Sequence, residues 1–133
     1  AKRELNYYYK AYNADVAFNS LRVFNNRYDL SHNLENIVFN ELIYMGYHVS
    51  VYTNHGKEID FLAEKDGKKY YVQVALSVVE DKAYNREMNA FEGLSQIDKK
   101  ILITTDAIDY STSNVSHISF ERFLQLDSLD EIR

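Results

Sequence analysis

The chain contains no cysteine among its 133 residues, which excludes disulfides and thiolate metal sites and leaves a reducing compartment open to it. Proline and tryptophan are absent too, whereas tyrosine is plentiful at 12 residues. Glycine is scarce. The four, at positions 46, 56, 67 and 93, never form the Gly-x-x-x-x-Gly-Lys phosphate loop. No Gly-x-Ser-x-Gly nucleophile elbow is present either. No apolar run approaches the roughly 20 residues of a membrane span, and no signal peptide opens the chain. Positive charge is in deficit. A net charge of -5 argues against a generally basic nucleic-acid coat, although residues 1–30 carry five Lys/Arg against three Asp/Glu.

Hydrophobic residues at 46% and charged residues at 26% are ordinary globular values, so disorder is not the reading. The length suits one domain with one real core. The start at Ala1, without a methionine, suits an excised fragment of something longer, and the expectation is a cytoplasmic domain with no membrane partner.

The most informative stretch is Glu58-Ile59-Asp60-Phe61-Leu62-Ala63, followed by Lys65-Asp66-Gly67-Lys68 and Lys69-Tyr70-Tyr71-Val72-Gln73-Val74-Ala75. Asp-Gly between apolar runs is the strongest short-range hairpin signal. With Asp66 and Gly67 at the centre of a type I′ turn, Lys65 faces Lys68, Asp60 faces Gln73 and Glu58 faces Ala75. Side chains alternate along a strand. One face then collects Ile59, Phe61, Ala63, Tyr70, Val72 and Val74 and suits a core; the other collects Glu58, Asp60, Leu62, Tyr71, Gln73 and Ala75 and suits the floor of a site.

Upstream, residues 1–12 form a tyrosine-rich lead-in, and Ala14 to Phe24 carries a helical stripe with Asn13 as its cap. Asn25 to Asp29 reads as a connection. The strongest helix starts near Ser31 or Asn33, runs to Met45 and has Gly46 as its C′ residue. At 100° per residue Glu35 lies about 20° from Leu42, so it points with the buried arc while Glu41 falls at its margin. A carboxylate aimed into a core must be paired, hydrogen-bonded or bound to a metal; a first-turn position near the helix dipole is its structural alternative.

Tyr47 to Tyr52 alternates as a strand, with Thr53 to Lys57 turning into the hairpin. A helix follows from Glu80 or Asp81 through Glu92, ended by Gly93. Lys100 to Thr104 is a short apolar strand, Thr105 to Asn114 a polar loop, Val115 to Ile118 a further strand, and Ser119 caps a helix from Phe120 to Leu126. The sum is a mixed α/β domain around a central sheet.

The four histidines show no metal-ligand spacing. An oxygen-rich set remains: Asp60, Gln73 and Glu58 on one sheet face, and Glu35 on the helix that packs there. Hard cations such as Mg²⁺ or Mn²⁺ take one or two carboxylates with waters and substrate phosphates, and would activate water against a phosphodiester.

These residues resemble the PD-(D/E)xK nuclease-like superfamily, and more closely the C-terminal domain of unknown function of many prokaryotic AAA-type ATPases. The resemblance rests on Ser31 to Leu42, Met45 to Val49, Lys57 to Glu64 and Tyr71 to Ala75, with a weaker match at Ala14 to Ala17. It implies a restriction-endonuclease-like mixed sheet flanked by helices over residues 31–133. Residues 1–30 would then be the junction with an N-terminal ATPase domain of the same full-length chain. Carried over position by position, Glu35 matches the helix glutamate and Asp60 the first metal-binding aspartate, so that the two together are the candidate metal ligands. Gln73 sits where an active enzyme has Asp or Glu, and Ala75 where it has the catalytic lysine. A neutral carbonyl weakens a divalent site, and loss of the lysine removes a charge worth several kcal/mol in other sites. The resulting expectation is a catalytically degenerate accessory domain that binds nucleic acid, DNA included, or a protein partner. The alternative is an active Mg²⁺- or Mn²⁺-dependent nuclease using Glu35, Asp60 and Gln73; Lys82 and Lys57 are the candidates to substitute for the missing lysine, though nothing in the spacing demands either.

Overall fold

Two tight turns and one strand irregularity set the geometry of the whole sheet. In the computed structural model, which describes residues 27–132, helix α1 (Arg27–Tyr44) leads into β1 (His48–Asn54), β2 (Lys57–Lys65) and β3 (Lys68–Val74). Then come α2 (Asp81–Asn89), β4 (Lys99–Thr104), β5 (Ser116–Ser119), α3 (Phe120–Gln125) and a 3₁₀ turn, Leu129–Glu131. The lead-in and the stripe from Ala14 to Phe24 lie outside the described residues.

The five strands lie in the order β1-β2-β3-β4-β5. The first three form an antiparallel meander, and β4 and β5 run parallel to β3. Both meander turns use consecutive residues with positive φ, His55-Gly56 (50° and 80°) and Asp66-Gly67 (54° and 77°). That is the type I′ signature, whose twist matches the flanking strands. The mixed sheet flanked by helices is the architecture expected from the order of elements.

Helix α1 begins a turn earlier than Ser31. Between Arg27 and Ser31 there is neither glycine nor proline to stop it, and a Ser or Asn inside a helix disfavours it only weakly. Helix α2 ends at Asn89 instead of Glu92. The chain then tightens into i→i−3 turns (Phe91 N–H to Met88 O, 3.1 Å; Glu92 N–H to Asn89 O, 3.2 Å) that bury Ala90 and Phe91. Ser119 caps α3, accepting the Arg122 N–H at 3.1 Å. The 3₁₀ turn, with a capping box of Ser128 and Glu131, was not anticipated; Leu129 N–H and Ser128 both bond the Tyr47 hydroxyl, 3.0 and 3.1 Å away.

The sheet has a core on each face. Leu34, Val38 and Leu42 of α1 pack with Ala63, Tyr70, Val72, Val74, Ile101 and Ile103 and with Phe120, Phe123 and Leu124 of α3. On the other face Leu62, Tyr71, Ala75 and Leu102 meet Val78, Ala90 and Phe91. Ile59 belongs to this second core, not to the face that strict alternation assigns it. Between Ser50↔Leu62 and Tyr52↔Ile59 strand β2 uses one residue more than β1, and such a bulge reverses the facing of the residues beyond it.

Candidate functional site

The β2–β3 ladder is regular from Lys65↔Lys68 to Phe61↔Val72 and stops there. One step on, Asp60 and Gln73 meet as the register requires, but through their side chains. The Asp60 N–H donates to Gln73 Oε1 at 2.8 Å, and the Val74 N–H donates to Asp60 Oδ2 at 2.8 Å. Each side chain thus satisfies a backbone donor that the opened ladder leaves without a strand partner, and an unmet buried donor costs about 1–3 kcal/mol. Gln73 is 3% exposed. Its Nε2 donates over a long 3.5 Å to Glu87 O, on α2. An amide accepts on one side and donates on the other; a carboxylate at this position accepts only.

The split opens a cavity of about 560 Å³. Its walls are Ser31, His32 and Glu35 of α1, Glu58 and Asp60 of β2, Val74 at the end of β3 with residues 75–77 after it, and Glu80, Ala83, Arg86 and Glu87 at α2. Five carboxylates thus face one arginine. Burial raises the Glu35 carboxyl above its ordinary value; Asp60 and Glu58 add to this while His32 opposes it. Asp60 is raised by burial as well, with the Val74 N–H working against the shift, Glu58 with it and Arg86 against it. Glu87 moves furthest, from 4.5 to about 7, through burial first and then Asp60, with Arg86 opposing. Its neighbour Arg86 reaches it at 3.4 Å with a largely solvated guanidinium, a geometry of little net worth.

Of the residues expected here, Glu35, Glu58 and Asp60 line the cavity, Ala75 borders it, and Gln73 lies beneath, tied to Asp60. Lys57 reaches toward Asn89 O at 3.5 Å instead, and neither it nor Lys82 is part of the wall. The burial of the two α1 glutamates is the reverse of the expectation: Glu41 is 1% exposed and Glu35 only half-buried. Phe39 and Ile43, counted as apolar positions, are exposed. The buried stripe is Leu34, Val38, Leu42 and Met45; its centre lies about 55° from Glu41 and about 65° from Glu35, so the angle separates the two only slightly and the packing of α1 decides which is buried.

Sequence reasoning missed Glu87, Glu80 and Arg86. Glu80, Ala83 and Glu87 recur at i, i+3 and i+7, the spacing of one helix face, and that was the available signal. Among the described residues no group of three or more His, Asp or Glu side chains is arranged to hold a metal ion. With one Asp60 oxygen and the Gln73 carbonyl oxygen already bonded to backbone N–H groups, the donors as placed do not fit a resident Mg²⁺ or Mn²⁺.

The family described as a domain of unknown function, DUF4143, matches residues 30–123. The chain belongs to that family. A Haemophilus influenzae protein bearing the name "Uncharacterized protein" is 45% identical over 71 residues, which are 53% of this chain and 17% of the relative. The chain therefore spans a small part of the length of that curated relative. No solved structure matches the chain. Every residue of the cavity wall falls inside the matched DUF4143 stretch, from Ser31 to Glu87. No helix of the described DUF4143 residues is long and apolar enough to cross a membrane.

Proposed function

We propose that this DUF4143 domain is a nuclease-like module of the PD-(D/E)xK kind that binds a partner instead of cutting a phosphodiester. The observation that carries this reading is the Asp60–Gln73 exchange. In active members of the PD-(D/E)xK superfamily these positions would hold a metal; here both side chains serve the backbone of a split ladder, and Gln73 also donates to α2. Ala75 puts a methyl where the superfamily has its lysine. The order helix, three-stranded meander, helix, parallel strands supports a restriction-endonuclease-like ancestry. The walls, Glu35, Glu58, Asp60, Glu80 and Glu87 against Arg86, repel a phosphate backbone. They favour a protein over a nucleic acid as partner. In the full-length protein the domain would serve as an accessory to an AAA-type ATPase part.

The deciding experiment incubates plasmid and single-stranded DNA and RNA with the protein in Mn²⁺ or Mg²⁺, beside Asp60→Ala at equal purity. Neither protein is expected to cleave. Cleavage by the parent, lost in Asp60→Ala, would overturn the reading and make Glu35, Asp60 and Gln73 the centre of a working metal-dependent nuclease. A gel-shift series at low salt, where electrostatic binding is strongest, is expected to show no retention of DNA or RNA.

A further inference from the structure

The β4–β5 connection, residues 105–115, joins two parallel strands without a helix, and one histidine organises it. His117 of β5 is 7% exposed. Its Nδ1 accepts the Tyr110 N–H at 3.0 Å, and its Nε2 lies 2.7 Å from Thr104 Oγ1 at the end of β4. Because Nδ1 is an acceptor, the neutral ring carries its proton on Nε2 and donates to Thr104. The His117 backbone holds the same loop: its N–H donates to Ser111 Oγ at 2.8 Å, and the Ser111 hydroxyl donates to His117 O at 3.4 Å.

The charged groups facing the ring are both on this loop. Asp109 Oδ1 lies 3.9 Å from Nδ1 and at present accepts the Ser111 N–H at 2.8 Å; Asp106 is the second. Of the aromatic hydroxyl groups near by, Tyr110 lies against the imidazole, with centroids 5.6 Å apart, and Tyr84 of α2 lies beyond it at 6.1 Å. Thr104 Oγ1 also accepts the Asp106 N–H at 3.0 Å, and the Asp106 carboxylate takes the Ser77 hydroxyl at 2.6 Å and the Val78 N–H at 2.8 Å. A continuous set of hydrogen bonds thus runs from His117 to Ser77 at the rim of the acidic cavity.

We propose that His117 is the pin of a proton-operated latch, in which a proton on Nδ1 ejects the Tyr110 N–H, draws in the Asp109 carboxylate and gives the β4–β5 loop two discrete positions. The reason is an exchange of roles. A protonated imidazole donates from both nitrogens, so Nδ1–H and Tyr110 N–H would be two donors facing one another at 3.0 Å. Asp109 is the nearest carboxylate able to accept the new donor. Burial holds the imidazole below the usual histidine range, with Asp109 and Asp106 opposing. The sign follows: the latched form is fully stabilised above the unfolded value of about 6.5 and loses that contribution as pH falls through the lowered folded value. Tyr110 contacts Tyr84, so release of the loop also frees one side of α2. The two loop positions do not depend on whether the cavity binds or cuts.

The test is an NMR titration of the intact chain from pH 7.5 to 4.5, following both His117 ring nitrogens and the Tyr110 amide. The expected result is a bare Nδ1 at pH 7.5, and a Tyr110 amide that moves with the His117 midpoint, below about 6.5. Asp109→Asn lowers that midpoint, because it removes the carboxylate that favours the charged ring, and changes the low-pH position of the Tyr110 amide. His117→Asn, whose Oδ1 can keep the Tyr110 bond, holds the loop latched throughout. A proton on Nδ1 at pH 7.5 would overturn the proposal. So would a titration that leaves the Tyr110 amide unmoved, no titration at all, or loss of every tertiary resonance at once before His117 titrates.

Discussion

The two ends of the β2–β3 hairpin use the same backbone in opposite ways. At the closed end Lys65↔Lys68 and Glu64↔Lys69 pair through main-chain bonds, and the lysine side chains reach away from the hairpin, Lys65 Nζ to Met45 O at 3.0 Å and Lys68 Nζ to Asp130 at 3.4 Å. At the open end the ladder stops and the side chains of Asp60 and Gln73 take its place. A stretch that reads by alternation as the floor of a site is thus also a joint in the fold, with the remaining carboxylates, Glu35, Glu58, Glu80 and Glu87, arranged around it.

Gln73→Glu is the harshest way to break the contrast. It removes the donor toward Glu87 O and buries a charge beside Asp60, and an uncompensated buried charge costs about 3–5 kcal/mol. Chemical denaturation at pH 7 should show that loss, with recovery as the pH is lowered and the new carboxyl is neutralised. Asp60→Ala should follow, because it leaves the Val74 N–H without its acceptor, a loss of about 2–3 kcal/mol. Asp60→Asn keeps an acceptor oxygen and should lie well above Asp60→Ala in thermal midpoint.

Glu87→Gln should move stability the other way. Its folded carboxyl titrates at about 7 against 4.5 unfolded, so the unfolded chain ionises first and stability falls as pH rises between those values. Removing the group should therefore add about 1–3 kcal/mol at pH 8 and nothing at pH 4, read from paired denaturation curves. The closed end should respond least: Gly67→Ala, at φ 77° with no neighbour crowding its Cβ position, should cost about 1 kcal/mol of backbone strain and leave the pH dependence unchanged.

Much of this fold is legible in the chain. Asp66-Gly67 is enough to set the hairpin register, since a two-residue I′ turn determines which residues face each other, and it brings Asp60 to Gln73 as expected. The α1 boundary at Gly46 and the Ser119 cap are local too. The facing of Ile59 is not, because the bulge in β2 exists only against β1. The roles of Glu35 and Glu41 also escaped local reading. Phe39 and Ile43 widen the apparent apolar arc, and only the packing of α1 on the sheet shows that they are exposed.

The sequence by itself determined the order of the strands and helices from the one that ends at Gly46 onward, the tight turn at Asp66-Gly67 and the hairpin register. Each depends on residues near in the chain or on residue identity alone. Only the tertiary structure decided that Asp60 and Gln73 bond each other's strand, that Glu87 and Arg86 from α2 complete the cavity, and that His117 holds a loop seven residues upstream. Those arrangements arise where separate elements meet and a buried donor or acceptor must find its partner, and no pattern along one strand or helix contains that information.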